Sequence, residues 1–188
     1  MADVIEPVLT EVGRRWNEEG VSLAQGYITA KITEDALNKV VAERADKNEI
    51  SERKGPVIMG NIEDDSHSLG RKMVVTFLEA DGWEVRDLGN DVLADEFVDT
   101  ALEIGAKVIG VSAMMYTTAQ NIRKVRDEID NRNLTGKIQL AAGGAVFVLR
   151  PELIKEVGGD GTARNAIGAP ELFSKLLKNA TATAEVMK

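Results

Sequence analysis

The chain contains a single histidine, His67, and Asp65 stands two residues before it. A carboxylate at that spacing can accept the proton on one imidazole nitrogen. That orients the ring and makes the other nitrogen a better donor to a metal. The chain has no cysteine, so His67 cannot complete a thiolate zinc site. What a lone imidazole can still do is make one axial bond to a metal that a macrocycle already holds. The competing reading is simpler. A lone loop histidine is more often a solvated side chain, and Asp65 would then be one member of a solvated acidic run, Glu63-Asp64-Asp65. Gly70, three residues on, suits close helix–strand packing as readily as close approach of a ligand.

The elements around this loop say where it must lie. Val57-Ile58-Met59 is a short apolar run, and a helical pattern from Leu69 to Leu78 follows. His67 therefore sits between a buried strand and a helix. Trp83 to Leu88 alternates as a half-buried or edge strand does, and Val108-Ile109-Gly110-Val111 and Ile138-Gln139-Leu140-Ala141-Ala142 read as further strands. Helical patterns intervene at Leu93, Phe97, Ala101 and Leu102, stopped by Gly105, and at Ile122, Val125 and Ile129. Pro151 starts a short helix. Gly158, Gly159 and Gly161 turn around a short fifth strand, and the last helix begins at Glu171, with a fraying tail from Asn179. Five βα units demand a parallel doubly wound sheet, most often in the order 2-1-3-4-5. Ligands then bind beyond the carboxyl ends of strands 1 and 3, where the chain reverses direction. Three loops converge there: Asp65 to Gly70, the loop starting at Ser112, and Gly143-Gly144. Each also has an ordinary structural explanation, a loop hydroxyl for Ser112 and a tight turn for the glycine pair, while Met114 and Met115 are more often core filler.

Before this α/β part, residues 4–16 and 22–46 show helical patterns, the second capped by Ser22. Trp16 and Tyr27 read as bundle core. The charged stretch 46–56 reads as a linker, giving a two-helix unit over 1–54 and an α/β domain over 55–188. Composition narrows the partners. Net charge is −8 over 188 residues and the pI about 4.8, which argues against nucleic-acid or anionic-membrane surfaces. No apolar run approaches the ~18–20 residues of a membrane span. The first residues lack a basic and an apolar signal region, so a cytoplasmic protein is expected. Response-regulator receivers also cluster acids after strand 1, yet they need an aspartate where Ser112 stands. Neither a Walker loop nor G-x-G-x-x-G follows strand 1.

Asp65-x-His67-x-x-Gly70, Ser112-x-Met114 and Gly143-Gly144, in these three loops, resemble the signature of cobalamin-binding domains. The likeness extends through residues 60–74, a serine loop from Ser112 to Thr118, and Gly159-Asp160-Gly161, to corrinoid proteins of methyltransferase systems and methionine synthase. It implies a flavodoxin-like (Rossmann-like) five-stranded parallel sheet with a small N-terminal α-helical cap, and cobalamin or a related corrinoid as cofactor. His67 would be the lower cobalt ligand and Asp65 its support, within a loop of Ser66, Ser68 and Leu69. Gly70, Ser112, Met114, Gly143 and Gly144 would line the channel for the displaced nucleotide tail. Thr117, Thr118 and Gly161 would stand near the cofactor, and Trp16 and Tyr27 would belong to the cap over its upper face. Only two of the usual four cap helices fit here. A homodimer through the helices, or a partner enzyme, would complete the cover. The function implied is a methyl carrier, without turnover of its own, between a substrate methyltransferase and a second one with a tetrahydrofolate or thiol acceptor, served by a reductive activator. O-demethylase, methanol and methylamine systems are of this type. The alternatives are a cobalamin-dependent sensor, which would need a histidine where Tyr27 stands, and the small subunit of an adenosylcobalamin mutase, which normally lacks the cap.

Overall fold

The computed structural model describes residues 7, 8, 11, 14, 15, 18, 22–45 and 53–186, in two compact units, Met1–Glu49 and Ile50–Lys188. In the first unit, helix α1 runs from Leu23 to Ala45. Its start is a capping box: the Gln25 N–H donates to Ser22 Oγ at 3.3 Å and the Ser22 N–H to Gln25 Oε1 at 2.8 Å. Tyr27 is 65% exposed, while Thr33 is the buried position among the described side chains of this helix. The two are six residues apart, roughly 240° around the helix, so Tyr27 is not the bundle-core residue its type suggests. Trp16 and the expected linker residues 46–52 lie outside the described residues.

The second unit is a parallel sheet with helices on both faces. Its elements are β1 (Lys54–Asn61), α2 (Ser68–Ala80), β2 (Trp83–Asp87), α3 (Ala94–Ile104), β3 (Val108–Ser112), α4 (Tyr116–Asn131), β4 (Gln139–Gly143), α5 (Ala145–Leu149), α6 (Leu153–Glu156) and α7 (Ala169–Val186). The strand order is β2-β1-β3-β4, as the alternating pattern predicts. β1 and β3 are central, and their stretches Val57–Met59 and Val108–Val111 read as unbroken apolar runs because both faces are covered there. One face, with Ile58, Ile109, Val111 and Leu140, packs on Phe97, Val98 and Ala101 of α3 and on Ile122, Val125 and Ile129 of α4. The other, with Val57, Met59, Val108 and Ala141, packs on Leu78 of α2 and on Phe173 and Leu176 of α7. Among the described residues no helix is long and apolar enough to cross a membrane.

The expected fifth strand is reduced to one parallel bridge, Ala141 to Gly161. The reason is Asp160. Its Oδ2 accepts the Leu140 N–H at 2.6 Å, a donor that a fifth strand's carbonyl would otherwise take. Arg126 holds Asp160 Oδ2 and the Gly158 carbonyl in place. The tail expected to fray is instead helical to Val186. Ala180 is fully buried, and the Thr181 and Thr183 hydroxyls bond back to the carbonyls of Leu177 and Asn179.

The strand register sets up the site. Asn61, Ser112 and Gly143 are paired across β1, β3 and β4 in a single row. The three loops singled out in the sequence therefore leave the sheet at one level.

Candidate functional site

Asp65 is fully buried. Its Oδ2 accepts the Met114 N–H at 2.7 Å and the Thr118 hydroxyl at 2.9 Å. Its Oδ1 accepts the Asn61 amide at 2.9 Å and the His67 N–H at 2.9 Å, and faces His67 Nδ1 at 3.2 Å. Burial pushes the Asp65 carboxyl up. The N–H groups of Met114 and His67, the Thr118 hydroxyl and the Asn61 amide outweigh that and hold it below its ordinary value. An ionised carboxylate can only accept, so Nδ1 carries a proton, and in the neutral ring Nε2 is then the nitrogen with the free lone pair. The His67 side chain is half exposed. A fixed carboxylate inside the protein thus steers an imidazole that reaches solvent.

The loop is held from two sides. The Ile62 N–H donates to the Ser112 carbonyl, the Asp64 N–H to Asp91 Oδ1, and the Asp91 N–H to the Asp65 carbonyl. Asp64 takes a left-handed conformation, φ 65°, which aspartate tolerates better than most residues. Glu63 pairs with Lys124 of α4. The acidic run is therefore three separate devices: an ion pair, a turn residue and a buried acceptor.

Beside the histidine loop, a cleft of about 230 Å³ opens between α2 and α7 over β3 and β4. Gly110 and Ala141, neighbours in the register, form its floor, and Ser112, Gly143, Gly144 and Gly70 line it. Ser112 faces the cleft because side chains two apart on a strand share a face, and Gly110 lies on the α7 side, close to Phe173. At Gly70 and Gly143 a Cβ would meet nothing within 4 Å, so both leave open space at the cleft. Gly144 is a different case. Its φ is +120°, and a Cβ there would overlap the Ala113 carbonyl, with the carbonyl carbon at 2.8 Å.

The remaining expected residues are dispersed. Ser66 is exposed, and its carbonyl accepts the Ser68 N–H at 3.0 Å where α2 begins. Leu69 is half-buried and Thr117 exposed. Met114, expected in the channel, is not among the residues lining the cleft; its side chain is 46% exposed and its contribution is the backbone N–H on Asp65. Thr118, expected near the cofactor, is buried and donates its hydroxyl to Asp65. Gly161 packs against Leu172. Tyr27 belongs to the other compact unit. Sequence reasoning missed Asn61 and Asp91. Asn61 carried a readable signal, a polar residue closing the buried stretch that runs from Val57 through Gly60, because a buried amide must find partners.

Residues 55–170 match the family model described as the B12 binding domain. The chain belongs to the B12-binding domain family. This B12-binding protein is 32% identical over 175 residues to the dimethylamine corrinoid protein of Methanosarcina barkeri, spanning 90% of this chain and 78% of that one. Its structure is similar to that of the Methanosarcina barkeri monomethylamine corrinoid protein, with a TM-score of 0.76 at 26% identity, covering 90% of this chain and 77% of that one. The methanol:cobalamin methyltransferase complex MtaBC from Methanosarcina barkeri shares the fold, with a TM-score of 0.61 at 24% identity over 89% of this chain and 62% of that one. The site fits the corrinoid that this family membership supports. It offers one oriented imidazole nitrogen, and next to it a cleft with small residues where a slender group can enter. Among the described residues no group of three or more His, Cys, Asp or Glu side chains is placed to hold an ion.

Proposed function

We propose that this protein binds cobalamin or a related corrinoid with its nucleotide base displaced, His67 Nε2 serving as the lower cobalt ligand. We further propose that it carries a methyl group between a substrate methyltransferase and a second methyltransferase with a tetrahydrofolate or thiol acceptor. The observation that carries this reading is the Asp65–His67 pair, with its carboxylate fully buried and its imidazole half exposed beside the small-residue cleft. When bound, the corrinoid's cobalt supplies the methyl-accepting and methyl-donating chemistry. Asp65 keeps Nδ1 protonated, which leaves the Nε2 lone pair directed outward. Ser112, Gly70, Gly143 and Gly144 receive the displaced tail, with the Ser112 hydroxyl facing into that space. Ser66, Ser68 and Leu69 carry the histidine turn into α2, and Thr117 stands on the exposed side of the serine loop. Met114, Met115 and Tyr116 are also exposed there, a suitable surface for a partner methyltransferase. A reductive activator would restore oxidised cobalt. A second copy or the partner enzyme would cover the upper face of the corrinoid.

His67→Ala tests the ligand assignment. After reconstitution with hydroxocobalamin, the variant is expected to retain the corrinoid through gel filtration. Its visible spectrum should change from the imidazole-bound form to the base-off form. An unaltered spectrum would remove His67 as the ligand, and a wild-type protein that keeps no corrinoid would remove the whole reading.

A further inference from the structure

Asp65 Oδ1 is overcommitted. Three donors converge on it, the Asn61 amide at 2.9 Å, the His67 N–H at 2.9 Å and His67 Nδ1 at 3.2 Å, while Oδ2 takes the Met114 N–H and the Thr118 hydroxyl. A carboxylate offers about four lone-pair sites, so five donors compete, and the longest of the five contacts is the imidazole. Asn61 is fully buried, and its amide nitrogen also donates to the His67 carbonyl at 3.1 Å. Its Oδ1 is buried without a hydrogen-bond partner. An idle buried acceptor is costly, so what this position uses is the donor half of the amide.

We propose that Asn61 is a positioning residue that weakens the hold of Asp65 on the His67 imidazole, making Nε2 a weaker and more readily released lower ligand. This rests on the corrinoid reading above. Each donor on Oδ1 withdraws electron density from the oxygen that His67 Nδ1–H must share. A less polarised Nδ1–H leaves Nε2 less electron-rich, and a less electron-rich imidazole binds cobalt less firmly. Thr118 acts in the same sense from Oδ2, at one bond's remove.

The test compares wild type, Asn61→Leu, Thr118→Val and His67→Ala, each reconstituted with hydroxocobalamin and reduced to the cobalt(II) state. Nitrogen superhyperfine splitting in electron paramagnetic resonance reads the histidine-bound form. Spectroelectrochemistry reads the cobalt(II)/cobalt(I) midpoint potential. Removing one competing hydrogen bond should raise the ratio of histidine-bound to histidine-free cobalt(II) in Asn61→Leu roughly three- to tenfold. Histidine stabilises cobalt(II) only, so the potential should become about 30–60 mV more negative. Thr118→Val, which leaves the histidine turn intact, should move the potential in the same direction by less, and it carries the test if Asn61→Leu does not fold. A potential that stays put or moves positive in either variant overturns the proposal, since Asn61 would then only brace the turn. A wild-type protein without nitrogen splitting, or with the same potential as His67→Ala, would instead overturn the corrinoid ligand assignment.

Discussion

Asp65→Ala is expected to destabilise the α/β unit by about 3–5 kcal/mol, the usual cost of removing one side of a buried charged network. The melting temperature should fall by about 6–20 °C. The size follows from who depends on the carboxylate. The Met114 N–H, the Thr118 hydroxyl and the Asn61 amide all end on it, from β1, the start of the serine loop and α4. Truncation leaves them facing a void, and each unsatisfied buried donor costs about 1–3 kcal/mol before the loops relax. Asp65→Asn should do little better. Both carboxylate oxygens receive only donors, so either orientation of an amide turns its NH₂ toward an N–H or O–H. His67→Ala should cost less, about 0.5–1.5 kcal/mol, because the imidazole is half exposed and Asp65 Oδ1 keeps the Asn61 amide and the backbone N–H of residue 67 when it is removed. Thermal denaturation of the three apoproteins checks the set. Equal melting temperatures for Asp65→Ala and His67→Ala would contradict the view that the carboxylate holds the loops together while the imidazole serves the ligand.

Adjacent glycines should respond in opposite ways. Gly144→Ala combines φ +120° with a Cβ driven into the Ala113 carbonyl. Backbone strain of this kind costs about 1–3 kcal/mol, and overpacking adds about 1–3 more. A loss of about 3–5 kcal/mol is expected. Because Ala113 leads into Met114, the shift should also disturb the Met114 N–H on Asp65. Gly143→Ala meets no atom within 4 Å and should leave stability within about 0.5 kcal/mol. Its methyl group would project where the cleft is open, so corrinoid retention should suffer instead, by tenfold or more if a tail must pass there (roughly 1.4 kcal/mol). Chemical denaturation of the apoproteins and equilibrium dialysis against hydroxocobalamin separate the two effects. A stable Gly144→Ala, or a Gly143→Ala that binds corrinoid normally, would break the distinction.

How much of this was legible in the chain itself depends on the range of the forces involved. Strand and helix identities follow from local periodicity, and the parallel order follows from alternating the two. Those steps place His67, Ser112 and Gly143-Gly144 at one edge of the sheet, where the register puts Asn61, Ser112 and Gly143 in one row. The spacing of Asp65 and His67 likewise implied an oriented imidazole without any fold. The tertiary structure alone decided what surrounds the carboxylate. Its acceptors meet Met114 and Thr118 from 49 and 53 residues away, and no local pattern specifies such meetings. The same packing separates Glu63, Asp64 and Asp65, which look alike in the chain, into an exposed-side ion pair, a left-handed turn and a buried acceptor. It reassigns Met114 from the channel to a backbone donor, replaces the fifth strand with the Asp160 carboxylate, and keeps the last helix intact by burying Ala180. Periodicity is a property of neighbours along the chain. Hydrogen-bond saturation and close contact are properties of neighbours in space, and they decide how His67 is held.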